Sequence, residues 1–451
     1  MTLLDKYLTT VENTDPQKFV GRVTRVQGLL IEALGPQAVV GELCRIELGS
    51  TGPGQDAREV WAEVVGLHGK VVQLMPYQEV DGLEIGCRVK AMGESLHVAV
   101  SDKLLGRVLD GMGHPIDGKG EIGSTLRYPA VHNPPEALDR GRIHRKVATG
   151  VRSIDALIPL GRGQRMGIFA GSGVGKSTLL GMIARNTSAD INVVALIGER
   201  GREVNEFIES ELGEEGLKRS VIIVSTSNTP ALARLRGAYV ATAVAEYFRD
   251  QGKDVMLLFD SVTRFAYAQR EIGLAVGEPP ARQGYTPSVF SLLPKLLERA
   301  GTAKVGTITG LYTILVDGDD MDDPIADSVR GILDGHIVLS RRLAERSHYP
   351  AVDVLKSVSR LAGKITSPLA REAFQVLRRH LAVYTEAEDL INAGAYAAGS
   401  NPEIDLAIKK YKEIREFLVQ KVEEKAPYLQ TLQRAAAIAG LAAPEASTED
   451  A

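Results

Sequence analysis

Ala170-Gly-Ser-Gly-Val-Gly-Lys-Ser-Thr178 lies between an apolar run, Met166-Gly-Ile-Phe-Ala170, and a run of helical character, Thr178-Leu-Leu-Gly-Met-Ile-Ala184. Strand, glycine-rich loop and helix in that order make a phosphate-binding loop. Gly171, Gly173 and Gly175 let the backbone curl so that its N–H groups face inward at anionic oxygens. The helix behind them adds its positive end, about half an elementary charge. Gly171, Ser172, Gly173, Val174, Gly175, Lys176, Ser177 and Thr178 are therefore expected to hold a nucleotide, ATP or ADP. Lys176 reaches the β- and γ-phosphates in this reading, and the Ser177 hydroxyl ligates Mg²⁺. Ala170 stands where the pattern has its first glycine. Gly171 follows at once, so the turn is expected to survive.

Two further strand ends supply carboxylates. Val255-Met-Leu-Leu-Phe259 delivers Asp260, and an acid there, paired with a phosphate loop, holds Mg²⁺ through its water shell. Four residues on, Arg264 either presents a second positive group to the γ-phosphate or forms a surface salt bridge. Asn192-Val-Val-Ala-Leu-Ile197 runs into Gly198-Glu-Arg-Gly-Arg-Glu-Val204. Glu199 is expected to polarise an attacking water, with Arg200 in support. The alternative for Glu199 and Arg200 is a solvated ion pair.

Around this core the pattern divides the chain. Residues 1–18 carry Leu3, Leu4, Tyr7, Leu8 and Val11 at helical spacing. They read as an amphipathic helix that docks on a partner or membrane surface, or packs on its own domain. Residues 19–95 hold short alternating runs, including 38–48, punctuated by glycine turns, and predict a small β-barrel. Residues 96–365 alternate strand-like and helix-like runs, which predicts a mostly parallel sheet covered on both faces. Residues 366–451 lose the β signal; 370–383 and 405–425 read as helices, and the end after Ala443 as frayed and acidic.

Bulk composition excludes several classes. Of 451 residues 44% are hydrophobic and 24% charged, as in an ordinary globular protein of two or three domains. A net charge of −4 gives no basic field for nucleic acid. Eight histidines lack metal-ligand spacing, and two cysteines, Cys44 and Cys87, are expected to be reduced. No apolar run is long enough to cross a bilayer and no signal peptide is visible. Any membrane association is expected to be peripheral.

The loop, Gly198–Val204, Leu258-Phe-Asp-Ser-Val-Thr-Arg264 and Tyr349-Pro-Ala-Val-Asp-Val-Leu-Lys-Ser-Val-Ser-Arg360 together resemble the F-type/V-type rotary ATPase superfamily. The last stretch fits its signature P-x-x-D-x-x-x-S-x-S. The resemblance spans the whole chain and implies a barrel, a RecA-like core and a helical C-terminal domain. It implies that Arg360 crosses to the neighbouring subunit's γ-phosphate, a role worth roughly 10³–10⁵ in rate. It also implies that Tyr349 packs on the adenine face. A site shared between copies closes as a ring, and the family implies a homo-hexamer.

Within the superfamily the chain is similar to the flagellar, type III protein-export branch. That likeness rests on Gly198–Val204, Asp260–Arg270, Gly277-Glu-Pro-Pro-Ala-Arg-Gln-Gly-Tyr-Thr-Pro-Ser288 and Gly318-Asp-Asp-Met-Asp-Asp-Pro-Ile-Ala326. It implies a stator-like regulator on residues 1–18, a coiled-coil stalk protein in the pore near Ala281–Thr286, and an export-gate membrane protein. Export chaperones and their substrates would meet the helical domain, at the cytoplasmic side of the inner membrane. Alternatives are a virulence-type secretion ATPase, a rotary ATP synthase catalytic-type subunit and an RNA-dependent Rho-like motor. The acidic Asp-Glu-Leu-Ser-Glu-Glu-Asp run of the synthase subunit is absent. Phe19, Trp61 and Tyr77 form no aromatic cluster for RNA. Glu199 stands where the non-catalytic subunits have glutamine.

Overall fold

A computed structural model of the chain describes residues 20–48, 58–316 and 322–442. The expected docking helix at residues 1–18 lies outside the described residues, as do the acidic end after Ala443 and part of the Gly318–Ala326 run.

The β-rich stretch closes into a six-stranded barrel: β1 (Val20–Gln27), β2 (Leu30–Leu34), β3 (Glu42–Glu47), β4 (Glu59–His68), β5 (Val71–Pro76) and β6 (Arg88–Ser95). Neighbours run in the order β1-β2-β5-β4-β3-β6, with β6 returning to β1. Alternate side chains point inward, so Val23, Ile31, Ile46, Val64 and Leu74 fill the interior. The strand expected from Ala38 begins only at Glu42. The Glu42 carboxylate accepts the N–H groups of Val39 (3.0 Å) and Gly93 (2.8 Å), which holds the preceding residues in a turn. The barrel is tied to the core by buried Glu63, which accepts from Tyr77 Oη at 2.6 Å and Arg236 Nε at 2.8 Å. Cys44 and Cys87 are unbridged, and burial pushes the Cys44 thiol up to about 12.

The core is a nine-stranded sheet. Its path uses β7 (Val108–Leu109), β8 (Arg165–Ala170), β9 (Ile191–Ile197), β10 (Ser220–Ser225), β11 (Asp254–Asp260), β12 (Thr307–Leu315), β13 (Gly335–Val338) and β14 (Val358–Ser359). The order along the path is β14-β13-β8-β12-β11-β9-β10-β7, parallel except for β14, and the ninth strand, Gly301–Thr302, lies off this path and pairs antiparallel with β12. Burial alternates from side to side. Val193, Ala195 and Ile197 of β9 join Val255, Leu257 and Phe259 of β11 beneath α2 (Ala231–Asp250) and α3 (Val262–Ala275). Val194, Leu196, Met256 and Leu258 face the other way, with α1 (Lys176–Asn186). Burial on both faces is why these strands read as unbroken apolar runs.

The C-terminal part is helical: α4 (Pro368–Asn392), α5 (Pro402–Leu418) and α6 (Tyr428–Ala439). The α4 helix is longer than its apolar pattern suggested. Ser367 caps its start ahead of Pro368, and left-handed Gly394 stands two residues past its end. The helix expected over 405–425 stops at Leu418. Tertiary bonds draw the chain off the helix axis there. Buried Gln420 donates its backbone N–H to Tyr349 O (2.9 Å) and its amide to Gly150 O (2.8 Å), and accepts from Arg152 N (2.9 Å).

Candidate active site

Parallel strands deliver their carboxyl ends to one edge of the sheet, and the cleft forms there. The β8 strand ends at Ala170, and Gly173 and Gly175 take φ of +78° and +90° before α1 begins at Lys176. Neither conformation suits a residue with a side chain. Two strands away, β11 ends at Asp260, in register with Leu196 of β9. Glu199 follows β9 by two residues.

These placements bring three expected residues into contact. Lys176 Nζ lies 2.5 Å from Asp260 Oδ1 and 3.4 Å from Glu199 Oε1. Burial pulls the Lys176 ammonium down, but the charges of Asp260 and Glu199 outweigh it and raise its pKa. The Glu199 carboxyl is pushed up to about 7, by burial first and then by the negative charge of Asp260. Glu203 adds to that rise through a hydrogen bond, while Lys176 opposes it. Asp260 is only 3% exposed and also accepts from the Thr313 hydroxyl at 2.7 Å.

Arg264 lies against the turn that carries Glu199. An ideal Cβ on Gly198 would sit 2.7 Å from the Arg264 Cβ, so the close approach requires glycine. The Arg264 Nε is buried with no hydrogen-bond partner. A buried, unpartnered guanidinium N–H on a side chain packed against Gly198 is suited to an anion. Ser177 is exposed at the loop. The Thr178 hydroxyl donates to Glu211 at 2.8 Å.

On the other flank a cavity of about 410 Å³ opens between the loop and the C-terminal segment. Gly175, Thr178, Tyr349, Pro350, Val419 and Val422 line it. Tyr349 is 44% exposed, and its ring passes 3.7 Å from where a Cβ on Gly175 would stand. An apolar slot with one open aromatic face beside a phosphate loop suits a purine base.

Two expected residues stand elsewhere. Arg200 is 74% exposed and forms a solvated ion pair, but with Glu203 at 3.1 Å and not with Glu199. Arg360 follows β14 at the sheet's edge and is exposed, with its guanidinium on Arg330 O at 3.4 Å. Its backbone N–H bonds Asp334 O, just ahead of β13. Because β13 runs parallel to β8, Arg360 stands at the opposite end of the sheet from the phosphate loop of its own chain. Sequence reasoning missed Thr313, Glu203, Glu211 and the Val419–Glu423 wall. Glu203 lies inside the quoted Gly198–Val204 run; the others carry no local signal.

The donors fit Mg²⁺. Ser177 and Asp260 offer hard oxygen ligands only, and among the described residues no group of three or more His, Cys, Asp or Glu forms a self-sufficient metal cage. A cation that keeps several waters and leans on phosphate oxygens needs no more protein than that.

Fold and cleft together define a phosphate-loop nucleoside triphosphatase. The nucleotide-binding domain of the ATP synthase alpha/beta family matches residues 150–359, its beta-barrel domain matches residues 23–93, and the T3SS EscN ATPase C-terminal domain matches residues 366–436. The chain is 58% identical to the flagellum-specific ATP synthase of Treponema pallidum over 97% of both chains. It is 49% identical to the type 3 secretion system ATPase of Xanthomonas euvesicatoria over 92% of both. The assembled ATPase EscN of the enteropathogenic E. coli type III secretion system superposes with a TM-score of 0.86 at 44% identity, covering 93% of this chain and all of that one. The chain belongs to the ATP synthase alpha/beta family, in its branch of flagellum-specific ATP synthases and type III secretion ATPases.

Proposed function

We propose that this chain hydrolyses ATP as a ring subunit of a flagellar protein-export apparatus, where turnover energises or gates export and releases chaperones. The observation that carries the hydrolytic reading is the Lys176 ammonium held between Asp260 and Glu199 at the mouth of a phosphate loop. Identity of 58% to a flagellar relative, against 49% to a secretion ATPase, supports the flagellar assignment.

The loop N–H groups, with Lys176, grip the phosphates. The Ser177 hydroxyl and, through water, Asp260 would hold Mg²⁺, which would supply neutralisation of phosphate charge. Glu199 orients a water and takes its proton as the water oxygen bonds to the γ-phosphorus. The bond to the bridging oxygen breaks, and ADP and inorganic phosphate leave. Arg264 has a buried N–H free to meet a γ-phosphate oxygen, and Tyr349 stacks on the adenine. Arg200 supports the Glu199 turn from the solvent side.

Arg360 completes the site of a neighbouring copy. Its position at the far end of the sheet from its own loop supports this, because one chain cannot bring both to one phosphate. A solved EscN assembly includes its central stalk EscO, with a TM-score of 0.85 to this chain at 44% identity. The same arrangement here gives a homo-hexamer with a coiled-coil stalk in its pore. The stator-like regulator at residues 1–18, the export gate and the chaperone complexes complete the partner set. Among the described residues no helix is long and apolar enough to cross a membrane, which suits peripheral attachment at the cytoplasmic face of the inner membrane.

Complementation tests the shared site. Arg360→Ala and Glu199→Gln chains, each inactive alone, should regain turnover when assembled together, because some seams then carry both intact groups. Stable mixed rings without recovered turnover would overturn the reading.

A further inference from the structure

Asp260 is held by more than the lysine. On β12, Leu311 belongs to the cluster on the α1 side of the sheet, whereas Tyr312 and Ile314 face α2. Alternation therefore turns Thr313 to the same side as Lys176. Phe259 is in register with Tyr312, so Asp260 and Thr313 stand side by side on adjacent parallel strands. The Thr313 side chain is fully buried, and its hydroxyl lies 2.7 Å from Asp260 Oδ1. An ionised carboxylate only accepts, so the hydroxyl is the donor. Lys176 uses that same Oδ1, and neither bond uses Oδ2.

The two donors differ in what they can do next. Lys176 ends a flexible four-carbon stem, and engaging a triphosphate draws its ammonium toward the phosphates. Thr313 sits on a central strand hydrogen-bonded on both sides by β8 and β11, and cannot follow. We propose that Thr313 is a positioning residue that pins Asp260 Oδ1 throughout turnover, keeping Oδ2 turned to the water shell of the metal as Lys176 moves. This rests on Asp260 being the metal-side carboxylate.

Mn²⁺ in place of Mg²⁺, followed by electron paramagnetic resonance in the presence of ADP, reads metal affinity without turnover in the full chain. Thr313→Val should weaken Mn²⁺ binding about tenfold, the order expected for losing a hydrogen bond to a charged group. Metal-free ADP binding should stay within about twofold by the same reasoning, since the hydroxyl meets no nucleotide. Thr313→Ser should restore the affinity, and Thr313→Ala provides a second hydroxyl-free chain if the valine form does not fold. Unchanged Mn²⁺ affinity in the hydroxyl-free variants, or equal weakening in Thr313→Ser, overturns the proposal. Asp260→Asn separates the two levels. If it also leaves Mn²⁺ binding intact, the metal-side reading itself fails; if it alone weakens binding, only the role of Thr313 falls.

Discussion

The phosphate side and the base side of the cleft are assembled by different routes. The phosphate side is made by residues next to the ends of β8, β9 and β11, where each functional side chain follows its own apolar strand within two residues or one loop. The base side is made by Tyr349 and Val419–Glu423, parts of the chain some seventy residues apart, joined through Gln420 N–H to Tyr349 O at 2.9 Å. Buried charges bonded to one another dominate the first, and an apolar slot the second. Substitutions on the phosphate side should therefore act on chemistry, and those on the base side on affinity.

Lys176→Ala should have the largest effect. It removes the phosphate contact and leaves two carboxylates facing each other, so binding and turnover fall together, turnover by at least about 10³-fold. Equilibrium binding of ADP alongside a phosphate-release assay checks both. Glu199→Gln should retain nucleotide binding while kcat falls by about 10²–10⁴, the usual worth of a general base. Normal turnover in that variant would remove Glu199 from the mechanism.

The pH profile follows from the same residue. Glu199 must be ionised to take a proton, and its carboxyl is raised to about 7. The profile of kcat/KM, which reports the free enzyme, should be flat above that value and fall about tenfold per unit below it. A profile that stays level down to the ordinary carboxylate range would contradict the buried environment assigned to Glu199. On the base side, Tyr349→Ala should raise KM for ATP about threefold to tenfold, the worth of one aromatic stack, with kcat nearly kept. A drop in kcat as large as that of Glu199→Gln would erase the distinction between the two sides.

The placement of the candidate phosphate-side residues was legible because each lies close in sequence to the strand that positions it. A strand end, a glycine turn and a helix start fix Lys176, Ser177, Glu199 and Asp260 with few residues between signal and site. The barrel and the parallel sheet were legible for a similar reason: hydrophobic alternation and apolar runs are local consequences of burial on one face or two. Tyr349 and Arg360 were reached only through resemblance to a family, because nothing beside them in the chain reveals what they face.

Tertiary structure decided the rest. It ended the helix expected over 405–425 at Leu418, because Gln420 finds partners at Gly150, Arg152 and Tyr349 that helical geometry does not offer. It put Thr313 beside Asp260 across more than fifty residues of chain, a proximity set by strand order and register. It placed Arg360 at the end of the sheet remote from its own phosphate loop. Sequence by itself determined which chemical groups this protein carries at its strand ends, since local backbone preference and burial pattern act over a few residues. Which groups meet across the sheet, and which stand at its opposite ends, depended on the packing of distant segments, where no short-range rule applies.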